Sequence, residues 1–185
     1  MPEDPGSNVD LIEETTFQAA DGTEISENSP FWRKRIPAFE DMSLQAVNAV
    51  FDVIGLPENR PEISIVLADN QTVQELNRDY RNMDKPTNVL SFPLGGDDNM
   101  PAIPGTMMLG DVILAFETVS AEAISQDKSI ENHTSHLIVH GVLHLLGHDH
   151  EDDAQADAME TLEKKILATL GIDDPYVMPD EGNAA

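Results

Sequence analysis

Residues 133–150 read His-Thr-Ser-His-Leu-Ile-Val-His-Gly-Val-Leu-His-Leu-Leu-Gly-His-Asp-His, and all six histidines of the chain lie within them. Between them stand Leu137, Ile138, Val139, Val142, Leu143, Leu145 and Leu146. That pattern reads as a largely buried helix carrying one polar stripe. His140 and His144 stand four apart, so on a helix they project from one face a turn apart, and both imidazoles can reach one metal ion. Gly147 is a natural helix stop, because it can take the left-handed conformation that turns the chain. A histidine shortly after that turn can swing back as a third ligand. Three protein nitrogens and an open position make a catalytic rather than a structural zinc geometry.

A single histidine on an apolar helix is ordinarily a satisfied core or surface residue, and a pair one turn apart is a modest signal. The full arrangement His-x-x-x-His-x-x-Gly-x-x-His over 140–150 is much more specific. In spacing it resembles the zinc-binding stretch of the metzincin peptidases, which carry Glu directly after the first histidine as general base. Here that position is Gly141, which has no side chain to take a proton. The metal scaffold is retained and zinc-peptidase chemistry is not.

The 185 residues suffice for one domain with a substantial core. There is no cysteine, which excludes disulfides and thiolate metal ligands. Met1 to Asp10 is polar and acidic and does not read as a secretory leader, and no window approaches a membrane span. A soluble, cytoplasmic protein is expected. The formal net charge of −25 argues against bulk attraction to nucleic acid. Yet Arg33, Lys34, Arg35, Arg60, Arg78, Arg81 and Lys85 all fall between positions 33 and 85, so a local basic surface on an acidic body is open.

Along the chain, residues 1–8 read as a loose tail and 9–17 as a first strand. Residues 18–41 read as a long connection, with Phe31 and Trp32 packing back on the core. Ser43 is placed as the cap of a helix over 44–54, and 62–68 is a clear strand. Asp69 starts a helix through Tyr80, with Val73, Leu76 and Tyr80 inward. A loop over 81–87, a short strand over 88–92, a Gly- and Pro-rich loop over 94–106 and a strand over 108–115 follow. Three helices, near 116–126, 131–146 and 153–170, complete the domain, which is expected to span 9–172 with a tail over 173–185. The expected fold is α+β (mixed α/β): one domain, a mixed sheet of about four strands, about five covering helices, and the metal-binding helix in the C-terminal half.

Two further stretches belong with the histidine window: Leu76-Asn77-Arg78-Asp79-Tyr80-Arg81-Asn82-Met83-Asp84-Lys85-Pro86-Thr87-Asn88-Val89-Leu90-Ser91-Phe92-Pro93, and Leu109-Gly110-Asp111-Val112. Together the three closely resemble the YbeY family of bacterial metal-dependent endoribonucleases, over roughly residues 60–170 and in the family's order. The resemblance implies that His140, His144 and His150 bind one Zn2+ per chain, and that Arg81 is the functional arginine that meets phosphate. It implies a zinc-dependent, single-strand-specific endoribonuclease of ribosomal RNA processing, including 3′ end maturation of the small-subunit rRNA, and of ribosome quality control. The implied partners are single-stranded and ribosomal RNA, with ribosomal proteins or ribosome-associated factors beside them, and neither DNA nor membrane. His148 stands where the family often has Tyr, and Asn88 where it often has Asp.

Other residues have open roles. His136 lies one turn before His140, either as a support or substrate contact or simply bonded locally. His148 competes with His150 on periodicity alone, since both follow Gly147, and the matched spacing favours His150. Asp149 either orients a ligand imidazole or is a solvated loop acid. Ser91 is structural or faces the cleft. Two rival readings stand beside the endoribonuclease: a metallohydrolase of another substrate class, and a non-catalytic zinc-containing ribosome-assembly factor.

Overall fold

The computed structural model of the protein describes residues 15–19, 22–55, 60–94 and 108–177. Five strands form one mixed sheet: β1 Thr15–Gln18, β2 Thr23–Glu27, β3 Glu62–Ala68, β4 Val89–Pro93 and β5 Met108–Ala115, in the order β1-β2-β3-β5-β4. β2, β3 and β5 run parallel to one another, while β1 on β2 and β4 on β5 are antiparallel. Six helices are described: α1 Phe31–Arg35, α2 Phe39–Ile54, α3 Asn70–Arg81, α4 Phe116–Ser125, α5 Ile130–Leu145 and α6 Asp153–Thr169. This is the expected mixed α/β single domain, with one strand and one helix more than the sequence suggested.

Alternation along the central strands makes the sheet two-sided. Ile63, Ile65 and Leu67 of β3 and Val112 and Leu114 of β5 enter the main core, together with Trp32, Val47, Val50, Leu137, Ile138, Val142, Ile166 and Leu167. Ala68, Ile113 and Ala115 belong to a smaller cluster with Val73 of α3 and Leu90 of β4. Helix α5 lies in the larger layer, with eleven of its residues buried, as its nearly all-round apolar pattern requires.

The extra elements both fall within the expected connection over 18–41. β2 escapes a hydrophobic reading because Thr-Glu-Ile-Ser-Glu holds a single aliphatic residue, Ile25. It is buried between β1 and β3, and its polar groups are compensated. The Glu27 carboxylate accepts from the Arg33 backbone N–H at 2.9 Å and from Arg33 Nε at 3.1 Å. Trp32 of α1 packs inward as expected and donates from Nε1 to the Ala68 carbonyl at 2.8 Å. Phe31 is half exposed but stacks on Phe116, with ring centroids 5.6 Å apart.

Helix α2 begins at Phe39, before the expected start, and Ser43 is a buried residue inside it rather than its cap. The cause is Phe39, which is fully buried and covered by the Arg33 guanidinium 4.8 Å above its ring. Asp69 does cap α3, accepting from the Thr72 N–H at 2.8 Å. Tyr80, expected inward, is 71% exposed in the last turn of α3 and meets Phe92 of β4 edge-on. The expected strand over 9–17 is described from Thr15 on. The expected tail over 1–8 and residues 95–106 of the expected loop lie outside the described residues. Residues 173–177, placed in a tail by the sequence reading, fold back so that Tyr176 reaches α5 and α6. Among the described residues no helix is long and apolar enough to cross a membrane.

Candidate metal centre and its cleft

The three histidines singled out by spacing converge. One ligand nitrogen from each of His140, His144 and His150 lies within 4.8 Å of the others, and the Nε2 atoms of His140 and His144 are 3.1 Å apart. Helix α5 supplies the first two from adjacent turns. The third depends on how α5 ends. Gly147 has φ 92°; its N–H bonds to the His144 carbonyl at 3.0 Å, and the His148 N–H bonds to the Leu143 carbonyl at 3.0 Å. This paired closure reverses the chain and carries His150 back over the helix end. The His150 ring lies 5.0 Å from that of His144 and 5.8 Å from that of His140.

Behind the site stands a residue the sequence reading did not single out. Glu163 of α6 has a fully buried side chain, and its Oε1 lies 2.5 Å from His140 Nδ1. An ionised carboxylate can only accept, so Nδ1 carries the proton and His140 turns the Nε2 lone pair towards His144 and His150. Glu163 Oε2 lies 3.1 Å from His136 Nε2 and also accepts from the Tyr176 hydroxyl. Burial alone raises a carboxyl pKa, but hydrogen bonds from His136, His140 and Tyr176 outweigh it and hold Glu163 down to about 2. Tyr176 is shifted up by its own burial and by the neighbouring Glu163 charge. His144 is shifted down, first by burial and then by His140 and His150, which favours the neutral imidazole a metal requires. The sequence did carry a signal for Glu163: it is a charge on the buried stripe of α6, between Met159 and Ile166 and Leu167. A buried charge is costly without partners, so an acid there points to a polar counterpart on the facing helix.

The other open residues find places. His136 sits on Glu163 with Tyr176 beside it and is not one of the three converging histidines. His148 and Asp149 line the cleft. The Asp149 carboxylate accepts from the His150 backbone N–H at 2.8 Å, while the carboxylate on the His140 imidazole is that of Glu163.

The histidines open on a cleft of about 550 Å³ whose opposite wall includes Arg81. Arg81 is the last residue of α3, and β4 joins the two walls. Arg81 Nη2 donates to the Ser91 carbonyl at 3.1 Å, and the Ser91 hydroxyl donates to the Gly141 carbonyl at 3.2 Å. Ser91 is therefore both structural and part of the cleft lining. Gly141 permits this approach: a Cβ there would lie 2.6 Å from Val112 Cγ1 and 3.1 Å from Ser91 Oγ. The position where a zinc peptidase has its glutamate is thus filled by the sheet itself. Arg81 has no carboxylate partner among the described residues, and the residues lining this cleft include no glutamate.

A family model described as Endoribonuclease YbeY matches residues 28–171. The chain is 53% identical over 148 residues to a protein named Endoribonuclease YbeY from Paramagnetospirillum magneticum, spanning 80% of this chain and 90% of that one. It is 48% identical to the protein of the same name from Azorhizobium caulinodans, spanning 80% and 91%. In fold it is similar to a Thermotoga maritima protein solved in solution, with a TM-score of 0.51 and 21% identity over 86% of this chain and 98% of that one. With its three-histidine cluster carried on the fold described above, the chain belongs to the Endoribonuclease YbeY family.

Proposed function

We propose that the protein is a zinc-dependent, single-strand-specific endoribonuclease of ribosomal RNA processing and ribosome quality control. The observation that supports this reading is the placement of three imidazole donors on one cleft with a guanidinium that has no carboxylate partner among the described residues. His140, His144 and His150 would hold one Zn2+; their donor set is three nitrogens, one already oriented by a buried carboxylate. A zinc ion so held supplies Lewis acidity towards a phosphoryl oxygen and lowers the pKa of bound water. Arg81 binds and orients the scissile phosphate, offering two parallel N–H donors to its oxygens as negative charge builds there. Gly141 leaves the peptidase base absent, so the proton from the nucleophile must pass to another group, and the chemistry of the cut ends identifies the nucleophile.

The test is a metal-quantified sample incubated with single-stranded and duplex RNA beside His144→Ala. Wild type is expected to hold one zinc per chain and to cut the single strand internally, and His144→Ala to lose both properties. Full zinc retention in His144→Ala would remove that residue from the site. A zinc-loaded wild type that cuts no RNA would favour the non-catalytic assembly factor.

A further inference from the structure

A second cavity, of about 360 Å³, adjoins the cleft and shares Arg81, Asn88 and Val89 with it. The two spaces therefore meet at the guanidinium. Its volume falls within the range of roughly 300–1,000 Å³ that small-molecule sites occupy. The outer wall is the loop 82–88, and that loop is held rather than left to solvent. Asn77, 2% exposed, donates from Nδ2 to the Lys85 carbonyl at 2.8 Å, and the Met83 N–H returns to the Asn77 carbonyl at 3.1 Å.

The charges around this cavity are sorted in an informative way. Glu122 lines it, but its carboxylate is taken up by the Asn88 amide at 3.0 and 3.2 Å and by His133 Nε2 at 2.8 Å. Asp84, next to Lys85, accepts from Gln74 Nε2 at 3.0 Å. Lys85 has no ion-pair partner among the described residues, although the chain has 35 acidic residues. By contrast, Arg33, Arg60 and Arg78 are all paired with carboxylates. Arg81 and Lys85, the cations bordering the two adjoining cavities, thus have no carboxylate partner among the described residues and remain available to an external anion there. Thr87 and Thr118 add hydroxyls, and Met83 adds a partly exposed apolar surface suited to a base face.

We infer that this second cavity is a nucleotide subsite: it seats the RNA residue next to the scissile phosphate, with Lys85 on the adjoining phosphate and Met83 against the base. The inference rests on the endoribonuclease reading for its choice of ligand. Arg81 then lies between two consecutive nucleotides, and Lys85 sets which way the strand leaves the metal.

The test uses zinc-loaded wild type, Lys85→Ala and Lys85→Glu, with Lys165→Ala as a control that removes one exposed charge lining neither cavity. Anisotropy of a fluorescein-labelled single-stranded RNA gives affinity against salt, and initial rates give kcat and KM. Lys85→Ala is expected to weaken binding and raise KM about 5- to 10-fold with kcat kept, and to reduce the salt slope by roughly one phosphate contact. Lys85→Glu is expected to be weaker still, and Lys165→Ala to match wild type. Unchanged affinity and salt slope in both Lys85 variants would overturn the subsite, as would an equal loss in Lys165→Ala. If wild type binds RNA without cutting it, the endoribonuclease reading fails while the binding arm still decides the subsite. If wild type binds no RNA, both fail.

Discussion

At the scale of single residues, Glu163 and Arg81 do different work. Glu163 does not itself line the cleft, yet it fixes which nitrogen of His140 faces the site. Glu163→Gln preserves shape but replaces an ionic acceptor by a neutral amide. We expect zinc affinity to fall about 10- to 100-fold, the usual loss when the partner behind a metal-bound histidine is removed. Competition with a chromogenic chelator measures it, and an unchanged constant would relieve Glu163 of the positioning role. Arg81 is exposed and reaches the cleft from the end of α3, so its loss should spare the fold. Arg81→Ala is expected to keep zinc content and Tm while losing on the order of 100-fold or more in single-turnover RNA cleavage. Arg81→Lys should recover part of that rate, because an ammonium offers charge without paired planar donors. Equal rates in all three proteins would remove Arg81 from the mechanism.

At the scale of elements, the decisive contact is α5 on the sheet. Gly141 brings the helix backbone against Val112 of β5 and Ser91 of β4, and the same strand carries the carbonyl that holds Arg81. The distance between the two walls of the cleft is therefore set by one position that bears no side chain. Gly141→Ala pushes a methyl into Val112 and Ser91. It should destabilise the protein by about 1–3 kcal/mol through overpacking, read as a lower urea midpoint. It should also reduce RNA cleavage in the zinc-loaded protein, because the histidines move away from Arg81. A variant as stable and as active as wild type would show that the helix can shift without consequence.

At the scale of the whole molecule, charge and metal dominate. With a formal net charge of −25 and two cations at the cavities, Arg81 and Lys85, that lack a carboxylate partner among the described residues, RNA binding should depend weakly on salt. For two phosphate contacts on a single strand, the slope of log affinity against log salt is expected near roughly −1.4. A slope several times steeper, measured by anisotropy between low and moderate KCl, would require a basic surface elsewhere. If zinc binds the folded site as proposed, it should stabilise the fold by mass action, by about 2.7 kcal/mol at 100 times its dissociation constant. Chelation should therefore lower the Tm of wild type and leave that of His144→Ala unmoved. A wild-type Tm indifferent to chelator would mean that the ion binds the unfolded chain equally well.

Local chemistry is what the sequence alone determined. His140 and His144 stand a helical period apart and Gly147 is a helix stop, so a shared face and a returning histidine were legible in the sequence, while periodicity left His148 and His150 level and only the motif's spacing favoured His150. The same holds for β3 and β5, whose aliphatic runs announce themselves, and for α3, whose cap is Asp69. What only the tertiary structure decided are the relations between distant segments. β2 is a strand because β1 and β3 flank it, although its own residues are mostly polar. Glu163 supports His140 because α6 packs on α5, and Tyr80 lies outside, in the last turn of α3, against Phe92 of β4. Arg81 faces the histidines because β4 joins both walls through Ser91. Helical spacing acts between neighbours in the chain and survives in any context, whereas burial, pairing and cleft shape arise between segments far apart in sequence, and no local pattern encodes them.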